Sequence, residues 1–179
     1  MASDKTITRF GQPICAVGII VGPNGGGKMK ILMLKHSKNG FSFLGANVNE
    51  QDYIRANEAA EQKGLTLTPD MVARAAIERK FKSMFGTNIE KAGSIFAYEW
   101  HAGKLSTKHG EADGFVFFIE ANDIKALAAH KKPDGAELVL PEEVCTQIKG
   151  SYHLNGAYSD QNRRLWKSVK KTSIYKWVI

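Results

Sequence analysis

Apolar and polar positions along this chain alternate between short runs and breaks, a pattern that predicts strands first and helices set between and after them. Residues 14–21 (ICAVGIIV) are apolar throughout and read as a buried strand. Residues 22–27 (GPNGGG) hold too many glycines for helix or strand and predict a turn. A second apolar run follows over 30–36, another turn over 37–40 (SKNG), and a short extended piece over 41–48 (FSFLGANV). A helix is expected from Glu50 to about Lys63, with Asn49 as cap, Asp52 three positions on and Gly64 as the stop. Thr68-Pro69-Asp70 marks a second helix start: a capping threonine, proline at the first helical position and an acid in the first turn. Ala73, Ile77, Phe81, Met84 and Phe85 then recur at helical spacing until Gly86.

The second half predicts strands over 94–100 and 115–120, joined by a polar loop over 103–114. A short helix over 122–130, a brief extended piece over 137–140 and a helix opened by Pro141 and running through Lys149 come next. The last helix is expected over 160–171, capped by Ser159 or Asp160, and the chain closes on an extended segment, 173–179. Strand hairpins interrupted by helices predict an α/β (α+β) fold with a mixed sheet and helices on its faces. The 179 residues suit one domain over 13–179, with residues 1–12 as a loose arm and 160–179 as a basic C-terminal extension.

Composition narrows the function classes. No apolar run approaches the roughly 18 residues that span a bilayer, so no membrane partner is expected. The polar stretch 1–12 has no apolar signal core, which predicts a cytoplasmic location. Cys15 and Cys145 lack metal-ligand spacing and read as two buried free thiols. His36, His101, His109, His130 and His153 show no metal spacing either.

Charge changes the picture more. Net charge is +7, and residues 161–179 carry six cations (Arg163, Arg164, Lys167, Lys170, Lys171, Lys176) and no acid. On a helix Arg163, Lys167 and Lys170 align, with Arg164 and Lys171 on the next row. Trp166, Tyr175 and Trp177 are interleaved with them. Aromatics among cations suit single-stranded nucleic acid, where bases stack and phosphates pair with Lys or Arg. The same residues also suit a solvated helix face with the tryptophans in the core.

One loud motif carries little. Gly22-Pro-Asn-Gly-Gly-Gly27-Lys28 fits G-x-x-x-x-G-K after a strand. A phosphate-binding loop needs Ser or Thr next and a helix behind it; here Met29 follows and the next run is strand length. A hairpin turn explains the glycines better.

Residues 41–50 (FSFLGANVNE) and the later Ala76-x-x-Arg79-Lys80-Phe81-Lys82-Ser83-Met84-Phe85-Gly86 together resemble the box of the Nudix family, A-x-x-R-E-U-x-E-E-x-G with its aromatic-x-apolar-Pro-Gly-Gly lead-in. The likeness covers roughly residues 13–150 and implies a Nudix-like α/β/α sandwich, with the basic helix as an addition. Three departures stand out. Ala46 replaces the opening glycine, with Asp52 where the first glutamate would fall. About nineteen extra residues separate Asp52 from Arg79. The three glutamates of the helix become Lys80, Ser83 and Met84. In the family those carboxylates hold Mg²⁺ and help activate water against a phosphoanhydride, which lysine and methionine cannot do.

These readings predict a non-catalytic Nudix-like protein that needs no cofactor. It would bind RNA or another polyanion through Arg79, Lys80, Lys82, Arg163, Arg164, Trp166, Lys167, Lys170, Lys171, Tyr175, Lys176 and Trp177. The alternative is a divergent Mg²⁺-dependent hydrolase of a nucleoside diphosphate derivative or an RNA cap, with Asp52, Glu78 and Glu120 as relocated acids. A third reading is a scaffold that only contacts proteins, including copies of itself.

Overall fold

The computed structural model describes residues 10–23, 27–36, 40–107, 110–130, 135–147, 157–173 and 175. Among these residues seven strands form one mixed sheet: β1 (Ile14–Pro23), β2 (Met29–His36), β3 (Gly40–Ser42), β4 (Leu44–Asn47), β5 (Gly93–Thr107), β6 (Gly110–Ala121) and β7 (Ala136–Val139). The main order is β3-β2-β1-β6-β5, with β4 beside β1 and β7 beside β2. Only β1 and β6 run parallel, in register from Ile14 opposite Asp113 to Val21 opposite Glu120. The other pairs are antiparallel. Among the described residues six helices complete the fold: α1 (Glu50–Gln62), α2 (Pro69–Phe85), α3 (Ile89–Ala92), α4 (Ile124–His130), α5 (Val144–Gln147) and α6 (Ala157–Val169).

The central strands bury both faces, and the two-residue period of the pleat sorts their side chains between two layers. Ile14, Ala16 and Ile20 of β1, with Phe117 and Ile119 of β6, pack on Ala73, Ala76, Ile77 and Phe81 of α2. Ile19 and Val21 of β1, with Val116 and Phe118 of β6, pack on Leu165, Trp166 and Val169 of α6. The sheet therefore separates α2 from α6. Gly18 lets α2 come close: a Cβ there would lie 3.1 Å from both Ile77 and Ile119 side chains. This is the mixed sheet with helices on its faces that the strand and helix pattern predicted, and the α/β/α sandwich that the resemblance implied.

Most predicted elements lie where the periodicity puts them, and four differ. The polar segment 103–114 is no loop: Lys104 pairs with Asp113, Leu105 with Ala112, Ser106 with Glu111 and Thr107 with Gly110. Leu105 and Ala112 point to one side and pack against Cys15, while Lys104, Ser106 and Glu111 face out. The period of two was present but masked by glycines. A short helix, α3, follows α2 and was not anticipated. The last helix begins at Ala157, so Ser159 and Asp160 sit inside it rather than capping it. Ser173 and Tyr175 are helical, not extended as expected for 173–179; residues 174 and 176–179 lie outside the described residues.

Helix ends follow their local chemistry. Asn49 and Asp52 form a reciprocal capping box at the start of α1. Gly86 closes α2 at φ 70°, a conformation that residues with a Cβ disfavour. Thr68 has extended N-cap geometry at α2, yet its hydroxyl makes no capping bond.

Candidate functional site

The capping box at α1 is half of a larger constellation. Asn49 Oδ1 accepts from the Asp52 amide at 3.1 Å, and Asp52 Oδ2 accepts from the Asn49 amide at 2.9 Å. Arg79, reaching across from α2, donates from Nε to Asp52 Oδ1 at 2.8 Å and from Nη2 to Oδ2 at 3.0 Å. Its Nη2 also donates to the Asn47 carbonyl at 2.8 Å, which ties in the end of β4. Asp52 is 0% exposed. A buried carboxylate is tolerable only when its lone pairs are met, and here three donors meet them. Two expectations are corrected by this geometry. Arg79 is a bridge between β4, α1 and α2 rather than a surface phosphate contact. Asp52 has its oxygens engaged and is no metal ligand as it stands.

The neighbouring positions of α2 do not assemble an alternative. Glu78 pairs with Arg74 on the outer face at 3.1 Å, both side chains 44% exposed, so it is a solvated i,i+4 pair. Lys80 is half-buried, Lys82 and Ser83 are exposed, and Met84 packs on the core beneath α2. Glu120 lies half-buried on β6, between Val21 and Ser94. Among the described residues, no three His, Cys, Asp or Glu side chains gather as a metal cluster. Mg²⁺ demands near-octahedral oxygen donors, and an ammonium, a hydroxyl and a thioether at 80, 83 and 84 do not fit it. Ser83 and Met84 instead border an open groove of about 640 Å³ with Thr87, Lys91, Asn122 and Asp123. Asp123 is its one acid, and it caps α4 by accepting from the Ala126 amide at 3.0 Å. The sequence reading did not anticipate this groove, because it joins the end of α2 to the β6–α4 turn.

On the far side of the sheet, α6 sorts its residues cleanly. Leu165, Trp166 and Val169 are buried against the sheet, while Arg164, Lys167, Lys170 and Lys171 are exposed. Arg163 is half-buried. Trp166 was expected to stack on bases, and this is corrected: it is 0% exposed, donates from Nε1 to the Pro141 carbonyl at 3.2 Å and packs against Phe43 and Tyr175. An indole with its N–H bonded inside the core has no face left for a ligand. Tyr175 is half-buried, edge-on to Trp166 with ring centroids 5.5 Å apart, so it too serves packing first. Burial, and then the Glu142 carboxylate, push its phenol above the ordinary range. Lys176 and Trp177 lie outside the described residues. Arg79, Lys80 and Lys82 on α2 and the cations of α6 stand on opposite faces of the sheet, so they do not form one surface.

Two sequence features resolve simply. Lys28 leads directly into β2, which pairs antiparallel with β1, so no helix follows the glycine-rich turn. Cys15 and Cys145 are free; the first is buried on β1 and the second half-buried on α5. Among the described residues no helix is long and apolar enough to cross a membrane.

No family model matches the sequence, and no curated protein does. Solved structures do. A binary complex of the Ap4A hydrolase of C. elegans superposes with a TM-score of 0.51 at 12% identity, over 87% of this chain and 95% of that one. A Nudix hydrolase from Alicyclobacillus acidocaldarius gives a TM-score of 0.52 at 10% identity, over 89% and 95%. At such identities the likeness carries architecture alone, and with the layers and sheet order above it makes this chain a Nudix-like α/β/α sandwich.

Proposed function

We propose that this protein is a non-catalytic Nudix-like module that binds single-stranded nucleic acid, RNA in the first place, through the outer face of α6. The observation that carries the proposal is the sorting of that helix: its apolar stripe is buried, Arg164 and Lys167 are exposed on the other side, and Lys170 and Lys171 are exposed in the turn that follows it. No acid occurs from Gln161 onward to offset them. Long cations on a packed helix present a fixed row of positive charge to a phosphate backbone. With Trp166 and Tyr175 in the core, binding rests on phosphates rather than base stacking, so little sequence preference is expected. The loss of carboxylates at 80, 83 and 84 supports the non-catalytic half of the reading.

The test is a salt titration of binding to single-stranded RNA. Replacing Arg164, Lys167 and Lys171 together by alanine should flatten the log K against log salt slope by about two units, roughly 0.7 per lost contact. Unchanged affinity and slope would overturn the proposal. A second reading, a divergent Mg²⁺-dependent hydrolase, draws on the two solved neighbours, both of which are hydrolases by name. Steady turnover of a nucleoside diphosphate derivative or a capped RNA with Mg²⁺, lost on Glu120→Gln, would favour it.

A further inference from the structure

A polar contact distant in sequence, between Gln161 and Ser106, ties the basic helix to the sheet. Among the described residues β5 is the edge strand of the sheet, and none of them pairs as a strand with its outer side. At Ser106 a side chain supplies the missing bonds. The Gln161 Oε1 accepts from the Ser106 amide at 2.8 Å, and its Nε2 donates to the Ser106 carbonyl at 3.2 Å. A carboxamide carries one acceptor and one donor side by side, the same pair that a neighbouring strand would offer. Gln161, Leu165 and Val169 fall at i, i+4 and i+8, so this clip continues the buried stripe of α6 toward its N-terminal end. Leu165, Trp166 and Val169 hold the later turns by burial; Gln161 holds the earlier one by hydrogen bonds.

We propose that Gln161 is the positioning residue of the nucleic-acid surface: by taking the place of a strand at the Ser106 edge of β5, it fixes α6 so that Arg164 and Lys167 are ordered before the ligand arrives. This rests on the function proposed above. Gln161 itself touches no phosphate. A frayed helix presents the same charges, but ordering them on binding has an entropic cost. Loss of the clip therefore lowers affinity without changing the number of phosphates neutralised.

The experiment uses the full chain and three readouts. Gln161→Ala should weaken binding to a single-stranded RNA oligonucleotide by about three- to tenfold, on the scale of one or two exposed hydrogen bonds. Its salt slope should stay that of wild type, whereas the Arg164, Lys167, Lys171 variant flattens it. Amide hydrogen exchange should quicken at Ser106 and in the first turns of α6, with the core strands unaffected. Wild-type protein that binds no RNA would sink the functional reading alone, because the exchange measurement still reads the clip. Gln161→Ala with wild-type exchange at Ser106 and α6, or with wild-type affinity beside a binding wild type, would overturn the positioning role. A flattened slope in Gln161→Ala would overturn it as well, by making Gln161 part of the contact.

Discussion

The two layers that flank the sheet use charge in opposite ways. On the α2 side, both arginines of the helix are matched: Arg79 is bidentate to a carboxylate with no exposure, and Arg74 is paired with Glu78. On the α6 side, charge is left outside: Leu165, Trp166 and Val169 take the interior, and four cations face solvent. A residue type alone therefore does not mark a site. An arginine whose guanidinium is spent on Asp52 and Asn47 joins three elements, while Arg164, exposed on a packed helix, presents its charge to solvent. The helix that resembles the Nudix box in sequence carries the Arg79–Asp52 bridge here.

Substitutions can break or sharpen this contrast. The largest expected effect is from Trp166→Ala, which removes a fully buried indole and its bond to Pro141; stability should fall by about 3–5 kcal/mol in chemical denaturation. A loss of RNA binding without a loss of stability would instead put Trp166 in the interface. Arg79→Ala comes next. It strands the buried Asp52 carboxylate, and about 3 kcal/mol should be lost. Asp52→Asn keeps the shape with weaker bonds and should cost less, about 1–2 kcal/mol. A neutral Arg79→Ala would mean that water reaches Asp52 and the bridge holds little.

Smaller effects test the outward charges. Lys82→Ala, on the α2 face, should leave RNA affinity within about twofold and the salt slope unchanged, because one exposed cation on the opposite layer adds little. A slope change equal to that of an α6 lysine would mean that the ligand wraps both faces. The smallest effect is chemical. Burial, with Asp113 adding to it, pushes the Cys15 thiol from 9.0 up to about 12. Cys15 should therefore resist alkylation at pH 8 while Cys145 reacts. The sign for stability follows: the folded value lies above the unfolded one, so this contribution is complete below pH 9 and is lost as pH rises from about 9 to 12.

How far the fold was legible depended on whether a signal was local. β1, β2 and the two long helices announced themselves through apolar runs, Asn49 and Asp52, Pro69 and Gly86, because strand period, helix period and caps are set within a few residues. The Nudix-like order of elements was legible for the same reason. The hairpin over 103–114 was missed because its alternation, Leu105 and Ala112 inward with Lys104 and Glu111 outward, is interrupted by glycines and becomes plain only across two paired strands.

By itself the sequence determined the alternation of strands and helices and the absence of carboxylates at 80, 83 and 84, since each depends on neighbours along the chain. Tertiary structure alone decided which charges are spent. Asp52 and Arg79 are 27 positions apart and were read for separate tasks, and Gln161 carried no signal at all until β5 brought Ser106, 55 positions away, to its side chain. The physical reason is common to these cases: a hydrogen bond or ion pair is a matter of a few ångströms in space, and residue spacing reports such distances only within a single helix or strand.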